Sequence, residues 1–426
     1  MRYSKLTANS LNVLALRFGG AGLMFFLSLF LTNYYSADLV GQYDFVRSTM
    51  MILSGISILG TDQAIIYYSG ILTSDNSTGQ LKKIYFKMIA LIFMICVILY
   101  IPILLISEQE INKIFNKPES YNLINLAFQG LLFYSITMLN IDTIRALKHT
   151  LISELFRNII RYTPFFFFSF IIYLIGKPEY LVKCFVYSFI FLFFISNSIV
   201  LLLFLKKHPP YATSEAYSVK DIFKTSYPMA LSAIFYFLLQ SIDVLFLGSF
   251  DSFETIAYYS VSVKLATVTS LALISVNIVI APKIAKIYND KNFLELKSMI
   301  RKSTRISLAI CVPILVMVFV FSEPILLMFG DGYTLAKNAF LILLLAQLFN
   351  SICGPSALYL NMTGRQKKLN VILLISLISN IILNLILIPE FGMVGAALGT
   401  SLSFVLAKAL ASATILYLDN IKTFIH

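Results

Sequence analysis

Apolar stretches of roughly 20 residues or more recur along nearly the whole chain, parted by short polar punctuation, and predict twelve helical spans. Their approximate limits are 10–32, 43–67, 84–106, 121–143, 151–175 and 181–205, then 223–249, 256–281, 304–328, 335–360, 369–388 and 394–417. Each is long enough to cross a hydrocarbon layer of ~30 Å at ~1.5 Å per residue. The expected fold is an all-α polytopic membrane protein of about twelve transmembrane helices. The first apolar run, from Leu11, carries Arg17 and lacks a small-residue exit, so it reads as the first span and not as a cleaved signal peptide. Pro102, Pro164, Pro228, Pro313 and Pro355 fall in or at the edges of spans, where proline frees a carbonyl and bends a helix.

The longest polar connection, Lys206 to Lys224, contains His208-Pro209-Pro210 and parts six spans from six. Leu81–Lys87 (LKKIYFK) parallels Leu296–Lys302 (LKSMIRK) at an offset of 215, and each leads into a span and an outer loop ending in Ile114-Phe115 or Met328-Phe329. An even number of spans per half gives both copies one topology, a parallel repeat about an axis along the membrane normal. The expected organisation is a six-helix bundle at 1–205, a cytoplasmic linker at 206–222 and a second bundle at 223–426, around a central cavity.

Composition sharpens this picture. The 426 residues are 58% hydrophobic and 13% charged, with mean hydropathy +0.84, where a soluble domain carries about 25% charged residues. The net charge of +12 would suit nucleic acid, but its placement argues for lipid. With the N-terminus inside, 24 of the 33 Lys and Arg fall in cytoplasmic connections, Arg145, Lys148, Arg157 and Arg161 among them. Five fall outside (Lys113, Lys117, Lys177, Lys183, Lys337) and four lie within spans. Both termini are therefore expected in the cytoplasm, with the positive charge facing anionic lipid and no nucleic-acid partner. Cys96, Cys184, Cys311 and Cys353 sit in apolar runs without metal spacing and read as packing residues.

No catalytic constellation, P-loop or metal-ligand motif is visible, and His149, His208 and His426 are scattered. Neither enzymatic activity nor a cofactor is expected. The chemistry that remains is charge within the spans: Arg17, Arg47, Lys264 and, less centrally, Lys408. A cation in hydrocarbon costs at least ~2.5–3.5 kcal/mol on insertion scales. Arg47 follows Tyr43 by four positions, much as Lys264 follows Tyr259 by five, which suggests equivalent places in the two halves. Arg17, Arg47 and Lys264 are the candidate lining of a cationic cavity for an anionic substrate, arginine through its planar fork and lysine as a point charge. Arg47 has the alternative of snorkelling outward or pairing with Asp44 or Asp243. Small residues beside Arg17 (Gly19, Gly20, Gly22) favour close helix approach. Asp243, Asp62 and Asp142 are candidate ion-coupling groups or charge partners, and Gln240, one turn before Asp243, a candidate sugar contact.

Several motifs also resemble those of the polysaccharide-unit (O-antigen, Wzx-type) flippases of the multidrug/oligosaccharidyl-lipid/polysaccharide exporter superfamily. They are Val40–Tyr43, Gly55–Gly60, Tyr227–Ser232, Ser241–Gly248, Ala257–Lys264, Ala281–Ala285, and Asn380–Asn384 with Ile388–Ala397 and Gly399–Ser401. The resemblance implies translocation of an undecaprenyl-diphosphate-linked oligosaccharide, an O-antigen or capsule unit, from the cytoplasmic to the periplasmic leaflet of the bacterial inner membrane by alternating access. It also implies an H⁺ or Na⁺ counter-ion and a polysaccharide polymerase machinery as partner. The drug exporters of that superfamily rely on acids in the first span, where this chain has Arg17, and the lipid II flippases have fourteen spans. A cation-coupled multidrug or metabolite exporter of the same fold is the alternative reading.

Overall fold

A computed structural model describes residues 2–72, 77–206 and 217–424, without the side chains of 2–11, 77, 206, 228, 272 and 278. Among the described residues every regular element is helical. Among the described residues nine helices are long and apolar enough to cross a membrane, and eleven spans result when each of two bent pairs counts as one. The 54-residue helix Gln366–Asp419 breaks at Gly392 (φ 53°, ψ −130°), so it supplies two spans and the number reaches the expected twelve.

The chain runs through α1 (Arg2–Tyr34), α2 (Ala37–Ile58), α3 (Thr61–Ile71), α4 (Ser77–Leu105), the short α5 (Glu108–Phe115) and α6 (Ser120–Ala146). Next come α7 (Thr150–Leu155), a π-helical turn (Phe156–Ile160), α8 (Thr163–Ile175), α9 (Leu181–Lys206) and α10 (Val219–Phe250). Then follow α11 (Phe253–Val268), α12 (Leu271–Asn289), α13 (Phe293–Val320), α14 (Ser322–Leu327), α15 (Lys337–Cys353), α16 (Ser356–Met362) and α17 (Gln366–Asp419). In each half the second span is a bent pair, and a short helix (α5 or α14) follows the third. The internal repeat is thus repeated in the helix breaks as well as in the residues.

The breaks have local causes. Between α2 and α3 the chain bends by 40°, because Leu59 and Gly60 both take left-handed dihedrals (φ 48° and 71°). A Cβ on Gly60 would stand 2.6 Å from the backbone of Ser226 and Ala230, so glycine is needed there for space as well as for φ. Between α11 and α12 the bend is 46°. There the hydroxyls of Thr269 and Ser270 bond back to the carbonyls of Ala266 (2.6 Å) and Thr267 (2.7 Å), an alternative to the helical ladder. Proline matters less than expected: Pro102 and Pro313 sit inside unbroken helices, and Pro164 begins α8.

Two compact units result, Met1–Phe237 and Leu238–His426. Residues 207–216 of the expected linker lie outside the described residues. The first half of α10 packs within unit one, where Tyr68 on α3 donates to Thr225 Oγ1 (3.1 Å) and the Asp221 carbonyl (3.3 Å). The core of unit one gathers Ile65, Ile84, Met88, Leu139 and Phe204. In unit two Ile284, Leu296, Ile300, Tyr359 and Ile415 pack together. Beside that core the Arg365 guanidinium forks onto Asp419, which also accepts the Tyr359 hydroxyl (2.7 Å). All four cysteines are buried and free, consistent with packing roles.

Candidate functional site

Polar residues of the sequence E-L-F-R-N-I-I-R, Glu154 to Arg161, recur at intervals of three, four and seven, which places them on one helix face. They lie in the span Thr150–Ile175, which agrees with the expected limits of 151–175 and removes Arg157 and Arg161 from the cytoplasmic connections among which their charge was counted. The π turn Phe156–Ile160 inserts a residue into the helical ladder here, an arrangement frequent at functional sites.

Around this turn unit one assembles a set of charged pairs. Arg17 on α1 makes a two-bonded fork with Glu154, Nε to Oε2 and Nη2 to Oε1, both 3.0 Å. Asn158 supports the acid, giving Nδ2 to Glu154 Oε2 at 3.1 Å. Gly20 makes the geometry possible, since a Cβ there would collide with the Asn158 backbone. The close approach expected from the glycines beside Arg17 is therefore realised at Gly20. Arg157 reaches Asp142 on α6 at 2.5 Å, which makes Asp142 a charge partner of that arginine. Asp62, opening α3, lies within electrostatic reach of Asp142 and Arg157, and its Oδ1 is buried without a hydrogen-bond partner. On α2, Arg47 Nε donates to Asp44 Oδ1 at 2.8 Å, the pairing held open above as an alternative.

These pairs share a polarity of exposure. The side chains of Arg17, Arg47 and Arg157 are 29%, 23% and 35% exposed, whereas those of Glu154, Asp44 and Asp142 are 2%, 0% and 7%. Each carboxylate anchors its arginine from behind, and each guanidinium keeps donors for something else. Five N–H groups meet at most two carboxylate oxygens.

Arg161 differs. It lies about halfway along its span, half-buried, with Nη2 donating to the Tyr134 hydroxyl at 2.5 Å. Its guanidinium stands 5.2 Å from the Tyr134 ring centre and 5.7 Å from that of Tyr162. Its Nε is buried without a hydrogen-bond partner, and it makes no ion pair among the described residues. The like charge of Arg47 lies within electrostatic reach. Placing arginine at mid-span costs ~2.5–3.5 kcal/mol at the least and ~10–17 in simulations of isolated helices, and each cation–π contact offsets ~0.5–2. Sequence reading missed Glu154 and misplaced Arg161, because four polar residues in eight looked like a connection; their helical spacing was the available signal.

Unit two holds a different site. Asp243 on α10 is buried, and its Oδ2 accepts the Tyr259 hydroxyl (2.5 Å, α11) and the Thr400 hydroxyl (3.0 Å, α17). Its Oδ1 accepts the Val244 amide at 2.9 Å. Asn380 Nδ2 bonds Thr400 Oγ1 at 3.5 Å, and Asn384 Nδ2 bonds Asn380 Oδ1 at 3.0 Å. Asn384 Oδ1 is buried without a donor. Gly399 leaves room for that oxygen, since a Cβ there would lie 2.5 Å from it. A carboxylate and a run of neutral oxygens, one of them unsatisfied, suits a proton or a hard monovalent cation. Gln240 is exposed on α10. Lys264 is half-buried on α11, and Lys408 lies 5.6 Å from the Phe404 ring centre on α17. The structure thus brings Arg17, Asp62 and Asp142 into one neighbourhood and sets Arg47 beside Arg161. Asp243, Gln240 and Lys264 belong to the other unit. No group of three His, Cys, Asp or Glu side chains suited to a metal occurs among the described residues.

Comparison with known proteins gives concordant matches. A family profile described as "Polysaccharide biosynthesis protein" matches residues 6–288, and one described as MatE matches 228–386. A probable low-salt glycan biosynthesis flippase of Haloferax volcanii is 28% identical over 212 residues, 49% of this chain and 43% of that protein. A capsular polysaccharide biosynthesis protein of Staphylococcus aureus is 26% identical over 189 residues, 43% of this chain and 47% of its own length. The chain therefore spans less than half the length of either relative. Among solved structures, the lipid II flippase MurJ in an inward closed conformation superposes with TM-score 0.74 at 16% identity, covering 94% of this chain and 86% of that one. The MATE multidrug transporter DinF-BH gives 0.69 at 15%, covering 97% and 94%. The helical arrangement is that of these two-lobed transporters.

Proposed function

This chain belongs to the polysaccharide biosynthesis protein family, and we propose that it is a flippase carrying an undecaprenyl-diphosphate-linked oligosaccharide, an O-antigen or capsule unit, from the cytoplasmic to the periplasmic leaflet of a bacterial inner membrane. The observation that carries this reading is the set of half-exposed arginines in apolar spans, Arg17 and Arg47 foremost, each anchored by a buried carboxylate. A diphosphate crossing a low-dielectric slab needs fixed charges in place of water. Guanidiniums held from behind supply that replacement without reorganising, and Lys264 adds a point charge from unit two. In this mechanism the two units rock in alternating access, and no covalent chemistry takes place. The sugars meet polar groups such as Gln240, the lipid tail stays in the bilayer, and delivery is to a polysaccharide polymerase machinery outside.

Asp243 with Tyr259, Thr400, Asn380 and Asn384 is the proposed counter-ion site for H⁺ or Na⁺. Asp62 and Asp142 act as charge partners of Arg157. The MatE match over 228–386, which contains Asp243, favours a second reading as a cation-coupled multidrug or metabolite exporter. Proteoliposomes containing undecaprenyl-diphosphate-linked oligosaccharide decide between them, with headgroup accessibility read under H⁺ and Na⁺ gradients. Net transfer of the lipid-linked sugar, lost in Lys264→Ala, is expected. Movement of a cationic dye without movement of the lipid would sink the flippase reading in favour of the second.

A further inference from the structure

We propose that Arg161 is the phosphate-gripping residue of unit one, with Arg47 adding charge and the phenols of Tyr134 and Tyr162 forming the walls; the identity of the phosphate as that of a lipid-linked sugar rests on the flippase reading above. Three buried carboxylates of unit one are already engaged: Glu154 by Arg17, Asp142 by Arg157 and Asp44 by Arg47. Arg161 makes no ion pair among the described residues, and the cation of Arg47 lies within electrostatic reach of it. Of its five N–H donors, one goes to the Tyr134 hydroxyl, and the buried Nε goes to nothing. An arginine kept at mid-span in this state lacks an anion, and the terminal fork of Nη1 and Nη2 matches two oxygens of a phosphate.

The tyrosines fit the same ligand. The Tyr134 hydroxyl accepts the Arg161 bond through its oxygen, which leaves its proton to donate to a phosphate oxygen. The two ring centres stand 5.2 and 5.7 Å from the guanidinium carbon, within cation–π reach. A structural role alone would not call for a charge, since a neutral side chain would pack against the same rings. The geometry therefore adds Arg161, free of any carboxylate, to the arginines that meet the ligand, and leaves Arg157 to a pair that shapes the surroundings.

The test uses the full-length protein in nanodiscs, as wild type, Arg161→Gln and Arg161→Lys, with undecaprenyl diphosphate, undecaprenol and inorganic pyrophosphate as probes. The wild type should favour the diphosphate lipid over undecaprenol by at least about tenfold, and Arg161→Gln should lose about tenfold or more of that affinity. Arg161→Lys should keep charge without the fork and lose about threefold. Unchanged affinity for the diphosphate lipid in a folded Arg161→Gln overturns the site and leaves the flippase reading standing. If Arg161→Gln does not fold, Arg161→Lys decides, and an unchanged affinity there overturns the site. A wild type that binds pyrophosphate through Arg161 but does not distinguish the diphosphate lipid from undecaprenol overturns the flippase reading and leaves the anion site. Binding of neither overturns both.

Discussion

Removing Arg17 and removing Glu154 should not be equivalent, although they are the two ends of one ion pair. Breaking a buried pair from one side costs ~3–5 kcal/mol, because the abandoned charge stays in low dielectric. Arg17→Met abandons a carboxylate whose side chain is 2% exposed, and Glu154→Gln abandons a guanidinium that is 29% exposed. The first should therefore destabilise by ~3 kcal/mol or more and the second by ~1–2, since partial solvation relieves the arginine. The double change Arg17→Met with Glu154→Gln removes both charges and should lie within ~1 kcal/mol of wild type, a coupling of at least ~3 kcal/mol in the cycle. Unfolding of the three variants and the wild type in matched micelles, followed by tyrosine fluorescence, measures the cycle. Transport by the double variant then separates stability from function: a folded protein lacking Arg17 should carry no lipid-linked sugar. Additive single changes, or an Arg17→Met milder than Glu154→Gln, would refute the pairing energetics. Normal transport by the double variant would refute the role given to Arg17.

Gly60→Ala combines left-handed strain with a clash against α10 and should cost several times more than Gly176→Ala, which has nearly the same φ (72° against 71°) and nothing within 4 Å of the new Cβ. The second should cost only ~1–2 kcal/mol, and comparing melting temperatures checks the contrast. Asp243→Asn keeps the shape of its network but removes the charge. It should leave folding intact and abolish the dependence of transport on an H⁺ or Na⁺ gradient, which a flux assay under each gradient reads directly. Lys368→Ala, exposed near the start of α17, should change stability by less than ~0.5 kcal/mol and leave transport unaltered. Arg157→Ala, which abandons the buried Asp142, should damage both.

Hydrophobic periodicity was enough for the spans, because each covers a length that only a membrane helix needs. The unlike treatment of Arg47 and Arg161 shows where it stopped. Arg47 stood alone in a long apolar run and was conspicuous. Arg161 came with Glu154, Arg157 and Asn158, and their combined polarity mimicked a connection although they occupy one helix face. Whether an intramembrane cation is matched by an acid is a long-range fact: Arg17 and Glu154 are 137 positions apart. Helix breaks were similarly veiled, because Leu59 and Thr269 bend the chain through local dihedrals and hydroxyl bonds, whereas Pro102 and Pro313, the obvious marks, do not.

The π turn at Phe156–Ile160 amounts to a one-residue insertion in a helix, and it makes the register of the fifth span adjustable. Each residue turns an α-helix by ~100° and advances it by ~1.5 Å. Deleting one residue from this turn would restore an ordinary ladder and swing the preceding stretch, with Glu154, about a quarter of a circle away from Arg161. A defect of this kind can also migrate along a helix by exchanging one carbonyl partner at a time, without leaving any group unbonded for long. Sliding the bulge past Arg161 would rotate that guanidinium relative to Tyr134 while α7 and α8 stay whole, a ratchet built from a single surplus residue.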